Sequence, residues 1–128
     1  HKISFYAEGL DDRRIGDITR ALERREQKAS IVYSSERDLD VLPAGVDKGA
    51  AARFVTQLLE IVPEQTIVAG DSGNDTSMFG GGFKGIVVGN ARVELKGMQS
   101  ENVYLASHTH AAGVLEGLQH WRPDMFDD

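Results

Sequence analysis

The sequence predicts an α/β protein: an open sheet of parallel strands from about residue 44 onward, preceded by a smaller β-α-β-β segment. Three observations carry this. Beyond Pro43-Ala44-Gly45, helical and strand patterns alternate one for one, which implies βα units with parallel strands. Before it, three short strand patterns surround a single helix, so the chain reads as residues 1–43 and 44–128. Finally, Thr66-Ile67-Val68-Ala69 runs into Gly70-Asp71-Ser72-Gly73-Asn74-Asp75. A short apolar run closed by turn and helix-start residues reads as a buried strand. Asp71 then falls at its C-terminal end, where open α/β sheets bind ligands.

Taken in order, residues 2–7 alternate, with Ile3, Phe5 and Ala7 on one face of a strand. Asp11 and Asp12 start a helix to about Gln27, with Ile15, Ile18 and Leu22 on one face. Strands follow at 29–33 and 39–42, the latter stopped by Pro43. Residues 49–61 form a helix whose apolar stripe is Phe54, Val55, Leu58 and Leu59. After the strand at 66–69 comes a short helix at about 75–79, ended by Gly80-Gly81-Gly82, which serves either close approach or a plain loop. Strands at 85–88 and 103–106 flank a helix at 91–98. The last helix, 110–121, turns Ala111, Val114, Leu115 and Leu118 inward and anchors on the core through Trp121. The tail from Arg122 is expected to fray.

A chain of 128 residues suits one domain and buries roughly two-thirds of its unfolded surface, enough for a core. Hydrophobic residues make up 41% and charged residues 27%, as in ordered globular chains. The net charge of −6 argues against nucleic acid or an anionic membrane as main partner. No apolar run approaches the ~20 residues of a membrane span. The absence of cysteine excludes disulfide and thiolate chemistry and fits a cytoplasmic location.

Asp71 and Asp75 are candidate ligands of a hard cation. Two carboxylates meeting at a strand end repel each other, and Mg²⁺, which is held by one or two carboxylates plus waters and phosphate, removes that repulsion. Aspartate is also favoured in turns and at helix starts, the plainer role for both. Lys48 opens the helix at 49–61. Helix N-termini are already positive, so lysine there suits an anion such as phosphate. His108-Thr109-His110 lacks a third metal ligand and reads as a surface turn.

Together these residues resemble the third and fourth motifs of the haloacid dehalogenase (HAD) superfamily of phosphohydrolases. Lys48-Gly49 opening a helix would be the third, and Gly70-Asp71-Ser72-Gly73-Asn74-Asp75 the fourth. Leu39-Asp40-Val41-Leu42-Pro43, Val88-Gly89-Asn90-Ala91, Lys2-Ile3-Ser4-Phe5-Tyr6 and Ala112-Gly113-Val114-Leu115-Glu116-Gly117-Leu118 resemble the sucrose-phosphate phosphatase branch. The resemblance implies a Rossmann-like core with part of a cap, Mg²⁺ as cofactor and a small sugar phosphate as substrate. It implies an aspartyl-phosphate mechanism in which a second aspartate acts as acid and base. Asp71 would ligate Mg²⁺, Asp75 would bind it through water or orient the site, and Lys48 would pair with phosphate and nucleophile. Ser72 and Asn74 would contact substrate. Glu36, Asp38 and Asp40 are candidates for sugar hydroxyls, or form a solvated acidic turn.

One departure is large. The first motif, Asp-x-Asp-x-Thr/Val, is missing. Asp38-Leu39-Asp40-Val41 imitates it, but no strand precedes Asp38 and Lys48 follows too soon. Ile31-Val32-Tyr33-Ser34 imitates the second motif from the cap side of the boundary. The expectation is therefore the C-terminal half of a phosphatase, inactive alone, whose partner is the missing N-terminal half. The alternative is a non-catalytic module fused to a glycosyltransferase of the sucrose-phosphate synthase type. A phosphoacceptor receiver domain fits less well, because its lysine follows its aspartate.

Overall fold

The computed structural model describes residues 1–126, and the chain divides into two compact units, His1–Asp47 and Lys48–Asp128. The first unit holds β1 (Ile3–Tyr6), α1 (Asp12–Glu23), β2 (Ala29–Ser34) and β3 (Asp38–Pro43). Its strands form an antiparallel sheet in the order β1-β3-β2. The Asp11 side chain caps α1 by accepting the Arg14 N–H at 2.8 Å. The helix stops at Glu23 rather than near Gln27. Glu26 turns left-handed at φ +57°, and the Gln27 N–H returns to the Leu22 carbonyl, closing the last turn.

Register decides which side chains share a face. Val41 lies across from Ile3 and Ile31, and Leu39 across from Phe5 and Tyr33. Asp38 and Asp40 therefore project from the other face of β3. Asp40 pairs with Lys2 at 2.8 Å; burial raises its carboxyl pKa, but the hydrogen bonds from Lys2 and Ser4 outweigh that and hold it below the ordinary range. Asp38 pairs with its neighbour Arg37. The turn between β2 and β3 passes through Ser35 and Glu36 at φ +56° and +55°, the left-handed backbone that tight hairpins use. Glu36 is thus a turn residue in this fold.

The second unit contains α2 (Lys48–Leu58), β4 (Ile67–Gly70), β5 (Lys84–Val87), α3 (Val93–Lys96), β6 (Val103–Leu105) and α4 (His110–Trp121). A 3₁₀ helix, Gly73–Gly80, follows β4. The strands are parallel in the order β4-β5-β6, as their alternation with helices predicts. Ile86, Val87, Phe83 and Leu95 are fully buried at its centre.

Three expectations fail in detail. On α2 the stripe of Phe54, Val55, Leu58 and Leu59 is exposed; the helix instead buries Gly49 and Thr56 and packs on the 3₁₀ helix after β4. Contact there is backbone on backbone: a Cβ at Gly49 would lie 2.1 Å from the Ser77 carbonyl oxygen. Likewise α4 turns Gly113 and Gly117 inward, with Val114 and Leu118 half-buried, and leaves Ala111 and Leu115 exposed. Small residues let this helix approach Ile86 more closely than leucine permits. The Trp121 indole does anchor α4, donating to the Gly85 carbonyl at 3.0 Å. The tail does not fray at Arg122: a 3₁₀ turn, Pro123–Met125, follows it, and Arg122 pairs with Asp124. Residues 127–128 lie outside the described residues. No helix among the described residues is long and apolar enough to cross a membrane.

Glu116 ties α4 to the end of β6. Its carboxylate accepts the Ser107 and His108 backbone N–H groups at 3.0 and 2.8 Å, and also the Tyr104 hydroxyl and the His108 ring. These bonds, the two backbone donors first, hold its pKa far below the ordinary 4.5. A depressed carboxylate stabilises the fold fully above its unfolded pKa and loses that contribution as pH falls through the folded one. Glu116→Gln is therefore expected to lower the melting temperature at pH 7, with the gap to wild type narrowing steadily below pH 4.5. A gap that stays constant down to pH 3 would show the carboxylate charge to be irrelevant.

Candidate active site

Four side chains converge at the C-terminal end of β4. Ser72 caps the following 3₁₀ helix in a reciprocal box with Asp75. That box turns the Asp75 carboxylate back under the strand end. Its Oδ2 accepts the backbone N–H groups of Asp71 and Ser72 at 3.0 and 3.4 Å, and its Oδ1 forms an ion pair with Lys48 Nζ. Asp75 is only 5% exposed, so the charge is buried, paired and hydrogen-bonded, as a buried charge must be. Lys48 reaches it from the first turn of α2 and also donates to Asn74 Oδ1 at 3.2 Å. The Ser72 hydroxyl donates to the same Asn74 oxygen at 3.0 Å.

Asp71 differs from Asp75. Its carboxylate is exposed and, among the described residues, forms no hydrogen bond or ion pair. Its backbone carbonyl is held by the Arg92 N–H at 2.7 Å, which ties the loop after β4 to the start of α3. The site thus offers one uncommitted carboxylate beside an ammonium group positioned by a buried acid. A cavity of about 320 Å³ opens here, lined by Lys48, Gly70, Asp71, Asp75, Asn90 and His110 among others.

The structure brings Lys48, Asp71, Asp75, Asn74 and Ser72 together in the second unit. Glu36, Asp38 and Asp40 belong to the first. Sequence reasoning passed over Asn90 and His110 as site residues. Asn90 lies in the loop three residues beyond the end of β5, the strand parallel to β4, so a polar residue just past a C-terminal strand end was a usable signal. His110 was grouped with His108, yet the two diverge: the His108 ring bonds Glu116 and His110 lines the cavity.

Gly70 is what lets Asp75 fold back. A Cβ on Gly70 would lie 2.5 Å from the Asp75 Cβ and 2.9 Å from its Oδ2. Gly70→Ala is expected to cost about 2 kcal/mol in urea unfolding, within the range of overpacking a close contact. Gly80→Ala, where nothing lies within 4 Å, is the control. Equal losses in the two variants would deny the close approach any role.

Comparison with known proteins settles the family. The model of the family described as sucrose-6F-phosphate phosphohydrolase matches residues 1–122. The chain belongs to that family, a sucrose-phosphatase-like branch of the HAD superfamily. It is 41% identical over 123 residues to the mannosylfructose-phosphate phosphatase of Agrobacterium fabrum, covering 94% of this chain and 50% of that protein. The sucrose-phosphatase of Synechocystis sp. PCC6803, solved in complex with sucrose and phosphate, superposes with a TM-score of 0.86 at 33% identity. That match covers 94% of this chain and 51% of the other. A glucosylglycerol-phosphate synthase of Pseudomonas anguilliseptica is 39% identical over 93 residues, which are 71% of this chain and 12% of the synthase. The chain thus spans about half the length of the first two. Its parallel sheet and strand order are part of a HAD core.

Proposed function

We propose that this chain is part of a Mg²⁺-dependent phosphatase of small sugar phosphates, such as sucrose 6-phosphate, working in the cytoplasm. The observation that carries this is the contrast between Asp71, exposed and uncommitted, and Asp75, buried and bound to Lys48. A carboxylate left free beside a fixed ammonium suits a cation and a phosphoryl group together. The relatives named for phosphatase activity support the substrate class.

The donor set fits Mg²⁺ in part. Asp71 supplies one oxygen ligand, and Mg²⁺ ordinarily takes one or two carboxylates with waters and phosphate for the rest. Asp75 has both oxygens engaged, so it orients Lys48 and the strand-end loop and reaches the ion only through water. Among the described residues no three acidic, histidine or cysteine side chains form a metal cluster, and waters and the phosphate would complete the shell of such an ion. When bound, Mg²⁺ would neutralise charge on the phosphoryl oxygens. Lys48 adds a second positive group at a fixed place, costing no reorganisation as charge develops.

The nucleophile of the aspartyl-phosphate step and its acid–base partner lie, in this reading, on sequence outside residues 1–128. Ser72 and Asn74 border the phosphate from the loop after β4. Glu36, Asp38 and Asp40, in the first unit, are candidates for hydrogen bonds to sugar hydroxyls in this reading. A second reading, a non-catalytic module joined to a glycosyltransferase, is favoured by the match to a short part of a synthase. Hydrolysis of sucrose 6-phosphate by the full-length chain with Mg²⁺ separates the two: turnover supports the phosphatase, and its absence supports the module.

A further inference from the structure

His110 is the first residue of α4 and holds a left-handed backbone, φ +52°, that side chains bearing a Cβ adopt rarely. Backbone strain of this kind persists only where the surroundings enforce it, and it gathers at functional sites. The backbone here is held by Asn90, whose Oδ1 accepts the His110 N–H at 2.7 Å. Because the Asn90 oxygen faces that donor, its NH₂ group faces away, and both side chains line the cavity that holds Lys48 and Asp71. The other two histidine rings of this unit are committed. His108 bonds Glu116, and His120 stacks on Tyr104 at 4.2 Å. The His110 ring has no hydrogen bond or ring partner among the described residues.

We propose that His110 is a substrate-contacting residue: its imidazole hydrogen-bonds an oxygen of the phosphorylated ligand in the cavity, and Asn90 is the positioning residue that holds it there. The inference rests on the sugar-phosphate reading above and adds a wall of the site that the motif residues do not supply. Glycine or asparagine would meet the backbone requirement at less strain.

The test is a titration of the full-length chain, with Mg²⁺, by inorganic phosphate and by sucrose 6-phosphate. Imidazole signals are followed by NMR, and affinity is measured by calorimetry. The His110 signals are expected to shift saturably while those of His108 and His120 stay. His110→Asn should weaken binding about tenfold, the worth of one lost hydrogen bond to a charged group, with an unchanged or higher melting temperature. Asn90→Ala should weaken it to a lesser degree. A shift with both ligands assigns the contact to the phosphoryl oxygens; a shift with sucrose 6-phosphate alone assigns it to the sugar. Binding that leaves the His110 signals unmoved, unchanged affinity in His110→Asn, or no binding of either ligand overturns the proposal. Binding with the His110 shift but without hydrolysis leaves this inference standing and overturns only the phosphatase reading.

Discussion

Residues 1–128, purified and supplied with Mg²⁺, are expected to hydrolyse neither sucrose 6-phosphate nor p-nitrophenyl phosphate above background, whereas a chain that also carries an N-terminal half with the first motif is expected to turn over. In the proposed reading the groups at the end of β4 stabilise charge but do not start the reaction. Lys48 is tied to Asp75 and Asn74, and among the described residues Asp71 is the carboxylate there with both oxygens uncommitted. Loss of a covalent nucleophile costs several orders of magnitude in rate. Mg²⁺ gives up its waters reluctantly, so a site with a single free carboxylate binds it weakly. In the full-length chain, Asp71→Asn should remove at least about a hundredfold of kcat, the scale of one lost charge-stabilising group. Hydrolysis by residues 1–128 that disappears on Asp38→Asn would overturn this account and make Asp38 the nucleophile.

Lys48→Met is expected to damage both stability and rate. It leaves the Asp75 carboxylate, 5% exposed, with backbone donors on one oxygen and no cation on the other. Breaking a fully buried ion pair costs roughly 3–5 kcal/mol. The Lys48 side chain is half exposed, so water screens part of that loss and about 1–2 kcal/mol is expected. Urea unfolding measures it. In the full-length chain, kcat on the sugar phosphate should fall by about two to three orders of magnitude as the positioned charge disappears. Because the two residues form one unit, Lys48→Met with Asp75→Asn should cost less than the sum of the single changes. Strict additivity would show that they act independently.

The local signals in this chain were strong where chemistry is encoded in consecutive residues. Gly70 to Asp75 specifies strand end, turn and helix cap within one run, and a capping box between Ser72 and Asp75 needs only their own spacing. The alternation of apolar runs with helical patterns was enough to predict parallel strands, because parallel neighbours require a crossover between them. The signals were weak wherever a face had to be assigned. Periodicity found the apolar stripe of α2 but could not say what covers it, and the helix packs instead through Gly49 and Thr56. On α4 a leucine-based reading overlooked Gly113 and Gly117, whose value is the absence of a side chain.

By itself the sequence determined the fold class through the alternation of its patterns, its motifs carried the resemblance to the family, and spacing picked out Lys48, Asp71 and Asp75 as candidates. Only the tertiary structure decided how their surroundings differ. Asp71 and Asp75 are chemically identical and four residues apart, yet one is exposed and uncommitted while the other is buried under two backbone N–H groups and a lysine 27 residues away. It likewise separated His110 from His108 and joined it to Asn90, 20 residues earlier. The physical reason is the same in each case. A carboxylate or an imidazole takes its role from the partners and solvent around it, and those partners arrive from other strands and helices only when the chain has folded.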